Sequence, residues 1–313
     1  MIKFYSIFIL FAVIFCLSCN NNVEDDNDFL NSAYYWTTVF SLSKEKKDFI
    51  CQNNIKRLYI RFFDVVVDEQ ERLMHNATIQ FQDSVPKDIE IVPTIFITND
   101  CIKQNTDSLP ERVVRRTWQM CKTHHIDNVK EVQIDCDWTK TTQQRMFDFV
   151  KKTKEILNKK GWKLSVTVRL HQLQNQLPEA DRGVLMVYNT GDVADPLCVN
   201  PILNYNDVTP YLKYLKDCKM KLSAAYPIYD WNVLFRQGHF IGIQHFDEEY
   251  PTMEGDTIIH HETTTQQINE IKETISNIST NINHEIILYD LSDKNLSRFT
   301  PINFKDIYSR PHN

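Results

Sequence analysis

The chain has 313 residues with 41 acidic and 35 basic side chains, a formal charge of -6. No basic cluster is set against that charge, which argues against a nucleic-acid partner. Its 6 glycines and 11 prolines form no linker-like stretch beyond the N-terminal segment, so one large domain is expected.

The opening MIKFYSIFILFAVIFCLSC places a lysine ahead of an apolar run from Phe4 to Leu17 and a small residue before Cys19. The run is shorter than the ~20 residues a bilayer-spanning helix needs, and its plan is that of a secretory signal. The LSC ending resembles a bacterial lipobox, which implies acylation of Cys19. The following NNNVEDDND is polar and acidic, with too little apolar surface to fold; it resembles the stretch after the lipid cysteine in surface-exported lipoproteins of Bacteroidetes-type bacteria. The expected organisation is a signal peptide over 1–18, a lipidated acidic tether over 19–32 and a folded domain over 33–313. The protein would then sit at the outer membrane or cell surface, with the membrane as partner through Cys19. Six further cysteines, Cys51, Cys101, Cys121, Cys136, Cys198 and Cys218, allow many pairings and show no C-x-x-C, so neither a pairing nor a zinc or redox site is indicated.

Eight apolar, β-branched runs of strand length follow: YYWTTVF near 35–40, KRLYIRFF (56–63), IEIVPTIFI (89–97), EVQIDCD (131–137), KLSVTVRL (163–170), GVLMVYN (183–189), KLSAAYPIY (221–229) and EIILYD (285–290). Continuous apolar character is what strands covered on both faces show. Helical spacing appears between several of them. LPERVVRRTWQMCKTHH brings Val113, Val114, Trp118 and Cys121 to one side, and TTQQRMFDFVKKTKEILNKKG does so with Met146, Phe147, Val150 and Leu157 before stopping at Gly161. Two more helical patterns cover 206–219 and 263–279. The stretch between the second and third strands has no clean helix, and the long insertion over 231–263 is expected to overlay the barrel mouth. Together the pattern spells a single-domain (β/α)8 barrel. A doubly wound sheet would call for a Gly-rich phosphate turn after its first strand, and none is present.

Barrel active sites lie at the C-terminal strand ends, which makes the last residues of each run the candidates. These are Arg61 and Asp64, Thr94 and Thr98, Asp135 and Asp137, Arg169 and His171, Tyr188 and Asn189, Tyr226, Tyr229 and Asp230, and Tyr289 and Asp290. Carboxylates, arginines and tyrosines converging on one mouth suit a sugar or another small polar ligand. Asp135 and Asp137 share one strand face. Asp135, the deeper, is equally a structural anchor paired to Arg61 or Arg169, since buried charges are normally paired. His171, the HH pairs at 124–125 and 260–261, His239 and His245 show no metal-ligand spacing, so no metal or cofactor is indicated.

VQIDCDW resembles the D-x-x-D-x-D-x-E motif on the fourth strand of chitinase-type glycosidases. Asp135 and Asp137 match its second and third aspartates, whereas Val132 and Thr139 stand at the first Asp and the Glu positions. The resemblance therefore implies the fold without the proton donor. The succession VQIDCDWT, LSVTVRLHQ and DRGVLMVYNTGD also resembles an uncharacterised family of secreted Bacteroidetes-type barrel lipoproteins, which implies a glycosidase-like fold and no particular reaction.

Two readings follow. A glycan hydrolase needs two carboxyls flanking the scissile bond. Asp137 would then be acid or base, with Asp290 or Asp230 opposite, and Asp135, Arg61, Arg169, Tyr188, Asn189, Tyr226 and Trp231 would touch the substrate. The alternative is a non-catalytic lipoprotein that binds carbohydrate or peptide. Carboxyls facing each other across an open cleft favour the first; acids locked to arginines favour the second.

Overall fold

The computed structural model describes residues 29–104, 106–244 and 252–310. The stretch read as a signal peptide, Cys19 and most of the stretch read as a tether lie outside the described residues, as does His245. Eight parallel strands close a barrel: β1 Leu30–Tyr35, β2 Ile55–Val67, β3 Glu90–Ile97, β4 Glu131–Asp135, β5 Lys163–Arg169, β6 Arg182–Met186, β7 Leu222–Pro227 and β8 Glu285–Tyr289. Each hydrogen-bonds to its sequence neighbours, and β1 pairs with both β8 and β2, which completes the ring. The expected (β/α)8 barrel is what forms. Its first strand is displaced from the expected run and starts at Leu30, inside the stretch read as tether. The polar residues that hid it have partners at the barrel base: the Ser32 hydroxyl donates to Glu285 at 2.7 Å and the Asn31 amide to the Asn53 carbonyl at 2.8 Å.

The outer helices are α1 Lys44–Gln52, α2 Leu109–Thr123, α3 Gln143–Asn158, α4 Tyr205–Leu212, α5 Thr265–Ile278 and α6 Pro301–Tyr308. Their starts are chemically marked. Ser43 caps α1, and a Thr264–Gln267 capping box opens α5, each supplying acceptors to otherwise unbonded first-turn N–H groups. On α2 the buried side is Val113, Val114, Thr117 and Cys121, whereas Trp118, expected inside, is exposed beneath Lys160, whose ammonium lies 4.9 Å from the ring centre. The β5–β6 connection has no α-helix, only a 3-10 turn over Leu170–Gln174 and a loop. Between β2 and β3 the chain doubles back as an antiparallel strand, Leu73–Asn76, where no helix was expected. The insertion after β7 folds into an antiparallel sheet of Asp230–Arg236, His239–Gln244 and Asp256–Glu262; residues 245–251 of it lie outside the described residues.

The barrel interior is polar, contrary to the continuous apolar character read from the strands. On β4 and β5, Val132, Ile134, Leu164, Val166 and Val168 join the hydrophobic core, while the alternating Gln133 and Asp135 take partners from other strands. The Tyr34 hydroxyl on β1 reaches across the lumen to Gln133 on β4 at 2.7 Å, and the Thr167 hydroxyl on β5 donates to Asp135 at 2.7 Å. Lower still, the strand starts supply an interlocked charge cluster. Arg57 bonds Glu90 and Glu285, each at 3.1 Å, and Arg182 bonds Glu131 at 2.7 Å as well as Glu285. Burial alone would raise the Glu285 carboxyl, but Arg182 and Arg57 outweigh it and hold the group well below the usual carboxylate range. This cluster fills the barrel interior at the strand starts.

Candidate functional site

A cleft of about 290 Å³ opens at the C-terminal end of the barrel, lined by Asp137, Arg169, Leu170, His171, Tyr188, Asn189, Thr190 and Tyr211. Its centre is the Arg169–Asp137 pair. The guanidinium donates two hydrogen bonds to the carboxylate, Nη2 to Oδ2 at 3.0 Å and Nε to Oδ1. The Arg169 backbone is fixed in turn, because its N–H donates to the Gln172 side chain at 2.9 Å and Gln172 donates to the Trp138 carbonyl at 3.0 Å. Arg169 also lies over the Tyr188 ring, 5.7 Å from its centre. Burial works against the charge on Arg169, but Asp135 and Asp137 more than compensate and keep it protonated.

Asp135 is 2 % exposed and lies one layer below Asp137 on the same strand face. Its burial raises the carboxyl to about 6, with Asp137 and Asp64 adding to the shift and Arg169 and Thr167 opposing it. The deeper acid is thus an interior group held by Thr167, and the outer one faces the cleft, its side chain 49 % exposed.

Tyr188 stacks on Tyr289 at 4.8 Å with the rings 27° apart. The aromatic floor continues from Tyr289 to Trp36 at 5.6 Å and to Tyr229 at 5.9 Å, and from Tyr229 to Trp231 at 5.3 Å. Among the described residues the Tyr188 hydroxyl, buried at the cleft wall, has no hydrogen-bond partner. Burial pushes its phenol well above its ordinary value, so it keeps its proton and can donate. Asn189 takes the left-handed backbone region at φ 55°, which Asn tolerates better than most residues. Its Oδ1 accepts from the Tyr229 hydroxyl, leaving its amide donors for the cleft.

Across the mouth, Arg61 is bonded to Asp64 through Nε at 2.8 Å and through Nη2, and its guanidinium lies 5.4 Å from the Trp36 ring centre. Strand residues three apart normally point to opposite faces. A register shift between Arg61 and Phe63 changes that parity and lets the pair meet.

The remaining candidates are elsewhere. Asp230, expected opposite Asp137, is held by Lys294 at 2.5 Å and Arg298 at 3.5 Å. Asp290, the other expected partner, accepts from the Asn295 amide and is raised to about 6 by burial; neither lines the cleft. Tyr226 is fully buried on the outer side of β7, donating to Asn283 at 2.8 Å, and does not line the cleft. Trp231 meets the floor only through Tyr229, and the described part of the insertion sheet does not line the cleft. Tyr211 was missed, because it comes from α4 and strand-end reasoning cannot find a helix residue. His171, a strand-end candidate, is exposed and lines the cleft. Thr139, at the motif's Glu position, is engaged with neighbouring threonines, its hydroxyl 2.9 Å from that of Thr141.

No family model matches the chain, and no curated protein does. In shape it is similar to a chitinase from Chromobacterium violaceum, at 12% identity over 90% of this chain and 99% of that one, with a TM-score of 0.59. It is similar also to the spore cortex-lytic enzyme SleL of Bacillus megaterium, at 13% identity over 91% of this chain and 75% of that one, TM-score 0.57. A chitinase from Bacteroides thetaiotaomicron matches at 11% identity over 91% and 100% of the two chains, TM-score 0.57. At such identities what is shared is the fold, a (β/α)8 barrel.

Proposed function

We propose that the protein is a glycan-binding barrel, lipid-anchored through Cys19 at the outer membrane or cell surface, that holds its ligand without cleaving it. The observation that carries this reading is the buried, unpartnered Tyr188 hydroxyl beside the Arg169–Asp137 pair. A saccharide hydroxyl or amide would satisfy that group, and the stacked tyrosines and Asn189 would orient the sugar. Against hydrolysis stand the engagement of Asp64 and Asp137 with arginines, the placement of Asp230 and Asp290 outside the cleft, and Thr139 where the resembled motif has its acid.

A screen of soluble glycans for both binding and bond cleavage tests it, starting from chito-oligosaccharides because of the chitinase-like fold. The expected result is binding without released sugar, weakened about tenfold or more by Tyr188→Phe, since that change removes one hydrogen bond at unchanged shape. Turnover abolished by Asp137→Asn would establish the hydrolase reading instead. For the anchor, Cys19→Ser should release the protein from the membrane fraction; a variant that still sediments with membranes would end the lipoprotein reading.

A further inference from the structure

We propose that the ligand of the cleft is a saccharide chain of several units, and that it runs out of the cleft into a groove on the flank of the barrel, beside the β5–β6 connection. The proposal rests on the glycan-binding reading of the cleft and extends it to a second stretch of surface.

The groove exists because a helix is missing. An α-helix with its side chains is about 10 Å across, and in this fold such helices form the outer ring over the strands. From β5 to β6 the chain returns instead as the 3-10 turn Leu170–Gln174 and an irregular loop. On the outer face of β6 the Met220 side chain lies against Gly183, whose missing side chain makes room for it: a Cβ there would stand 2.6 Å from the Met220 sulfur. Between the loop and the segment that follows α4 this leaves a groove of about 740 Å³. The cleft, at about 290 Å³, is at the lower edge of the ~300–1,000 Å³ that ligand sites occupy. A saccharide of several units must therefore extend beyond it.

Two columns of side chains lead from the cleft to the groove. In a 3-10 turn, residues three apart are eclipsed, so His171 in the cleft and Gln174 in the groove share one side of the turn. On the facing segment α4 runs directly into a second 3-10 stretch, Lys213–Asp217, and Tyr211 of the cleft is followed three residues on by Tyr214 of the groove. The turn packs against this segment, so the two openings flank a single seam. The lining suits a sugar chain. Leu177, Tyr214 and Met220, half-buried and packed on the hydrophobic core, give an apolar floor. Gln174, Asn175 and Gln176 give three uncharged amides in succession, each able to donate and to accept. The Asn175 amide lies 3.5 Å from the His171 carbonyl, tying this rim to the cleft. The charges of the groove, Glu179, Asp217 and Lys219, lie toward the strand starts, at the end away from the cleft. The stretch next to the cleft is thus neutral, and a row of uncharged donors and acceptors matches a row of hydroxyl groups.

The test is calorimetric titration of the chain from Cys19, made without acylation, with chito-disaccharide and chito-hexasaccharide. The hexasaccharide should bind about tenfold or more tightly than the disaccharide, and Gln174→Ala/Gln176→Ala, which removes two exposed amides, should cancel that gain. The double variant should keep the parent's disaccharide binding and melting temperature, whereas Tyr188→Phe should weaken both lengths alike. Cys218, half-buried in the groove, reports the location directly: the hexasaccharide should slow its alkylation and the disaccharide should not, with the exposed Cys51 as internal reference. Equal affinity for the two lengths, or a length gain that the double variant keeps, overturns the proposal while the glycan-binding reading stands. Binding of neither length removes that reading and this proposal with it. A groove that instead pairs two copies of the chain would show as a dimer split by the double variant with hexasaccharide binding unchanged, and that result also overturns the proposal.

Discussion

Asp135 and Asp137 differ by one layer of the barrel, and that difference separates their chemistry. The outer carboxylate is fixed by Arg169 at the cleft, and the inner one is buried, its carboxyl raised to about 6. A folded-state value above that of the unfolded chain means that the fold holds a proton the unfolded chain has already released. Stability should therefore fall as pH rises from the ordinary carboxylate value through about 6, and the penalty is complete above that window. Asp135→Asn removes it and can still accept from Thr167. The variant should be more stable than the parent at pH ~7.5, by up to about 3 kcal/mol, and nearly equal to it at pH ~4. Thermal melts at the two pH values check this; an equal gain at both would refute the assignment. These two acids and their shared strand face were legible in VQIDCDW, because a period of two needs only the sequence. The pairing of Arg61 with Asp64 was not, because it depends on a register shift that no local pattern announces.

At the level of elements, seven of the eight strands lie within a few residues of the apolar runs that signal them, while β1 was displaced because Asn31 and Ser32 do their bonding at the base. Strand-end residues whose side chains follow the strand inward, such as Arg169, line the cleft. Asp230 and Asp290 lie just past the ends of β7 and β8 and turn instead to Lys294 and Asn295. The charge cluster at the strand starts was invisible for the same reason in reverse, since Glu131, Arg182 and Glu285 are far apart in sequence and meet only when the ring closes. Glu285→Gln leaves Arg57 and Arg182 short of a countercharge in a buried site and should cost about 3 kcal/mol at neutral pH. Because the Glu285 carboxyl is held below its ordinary range, the parent should lose this contribution as pH falls below the ordinary carboxylate value, and the two melting curves should converge in acid. Glycan binding, at the other end of the barrel, should be unaffected. A variant as stable as the parent at neutral pH would show that the cluster contributes nothing.

For the whole molecule, no cysteine pairing is indicated by the sequence, and the six described cysteines are all free: Cys101, Cys121 and Cys136 buried, Cys198 and Cys218 half-buried, and Cys51 exposed. The fold should therefore be indifferent to reductant. Alkylation under denaturing, non-reducing conditions followed by mass measurement should modify all six, and any of them resisting would reveal a bond. A chain of this size buries enough apolar surface to dispense with cross-links. The clasp of Arg310 on Leu30, Asn31 and His284 carries a consequence for the chain's connectivity. With its first strand and its last helix held together beneath the barrel, the described chain from Leu30 to Arg310 is close to a circle that is open at that point. Joining residues 30 and 310 through a short bridge and cutting instead in the exposed loop around Leu197 should yield a permuted protein with the same barrel. Its new ends would then lie at the mouth, where a reporter could sense the ligand directly.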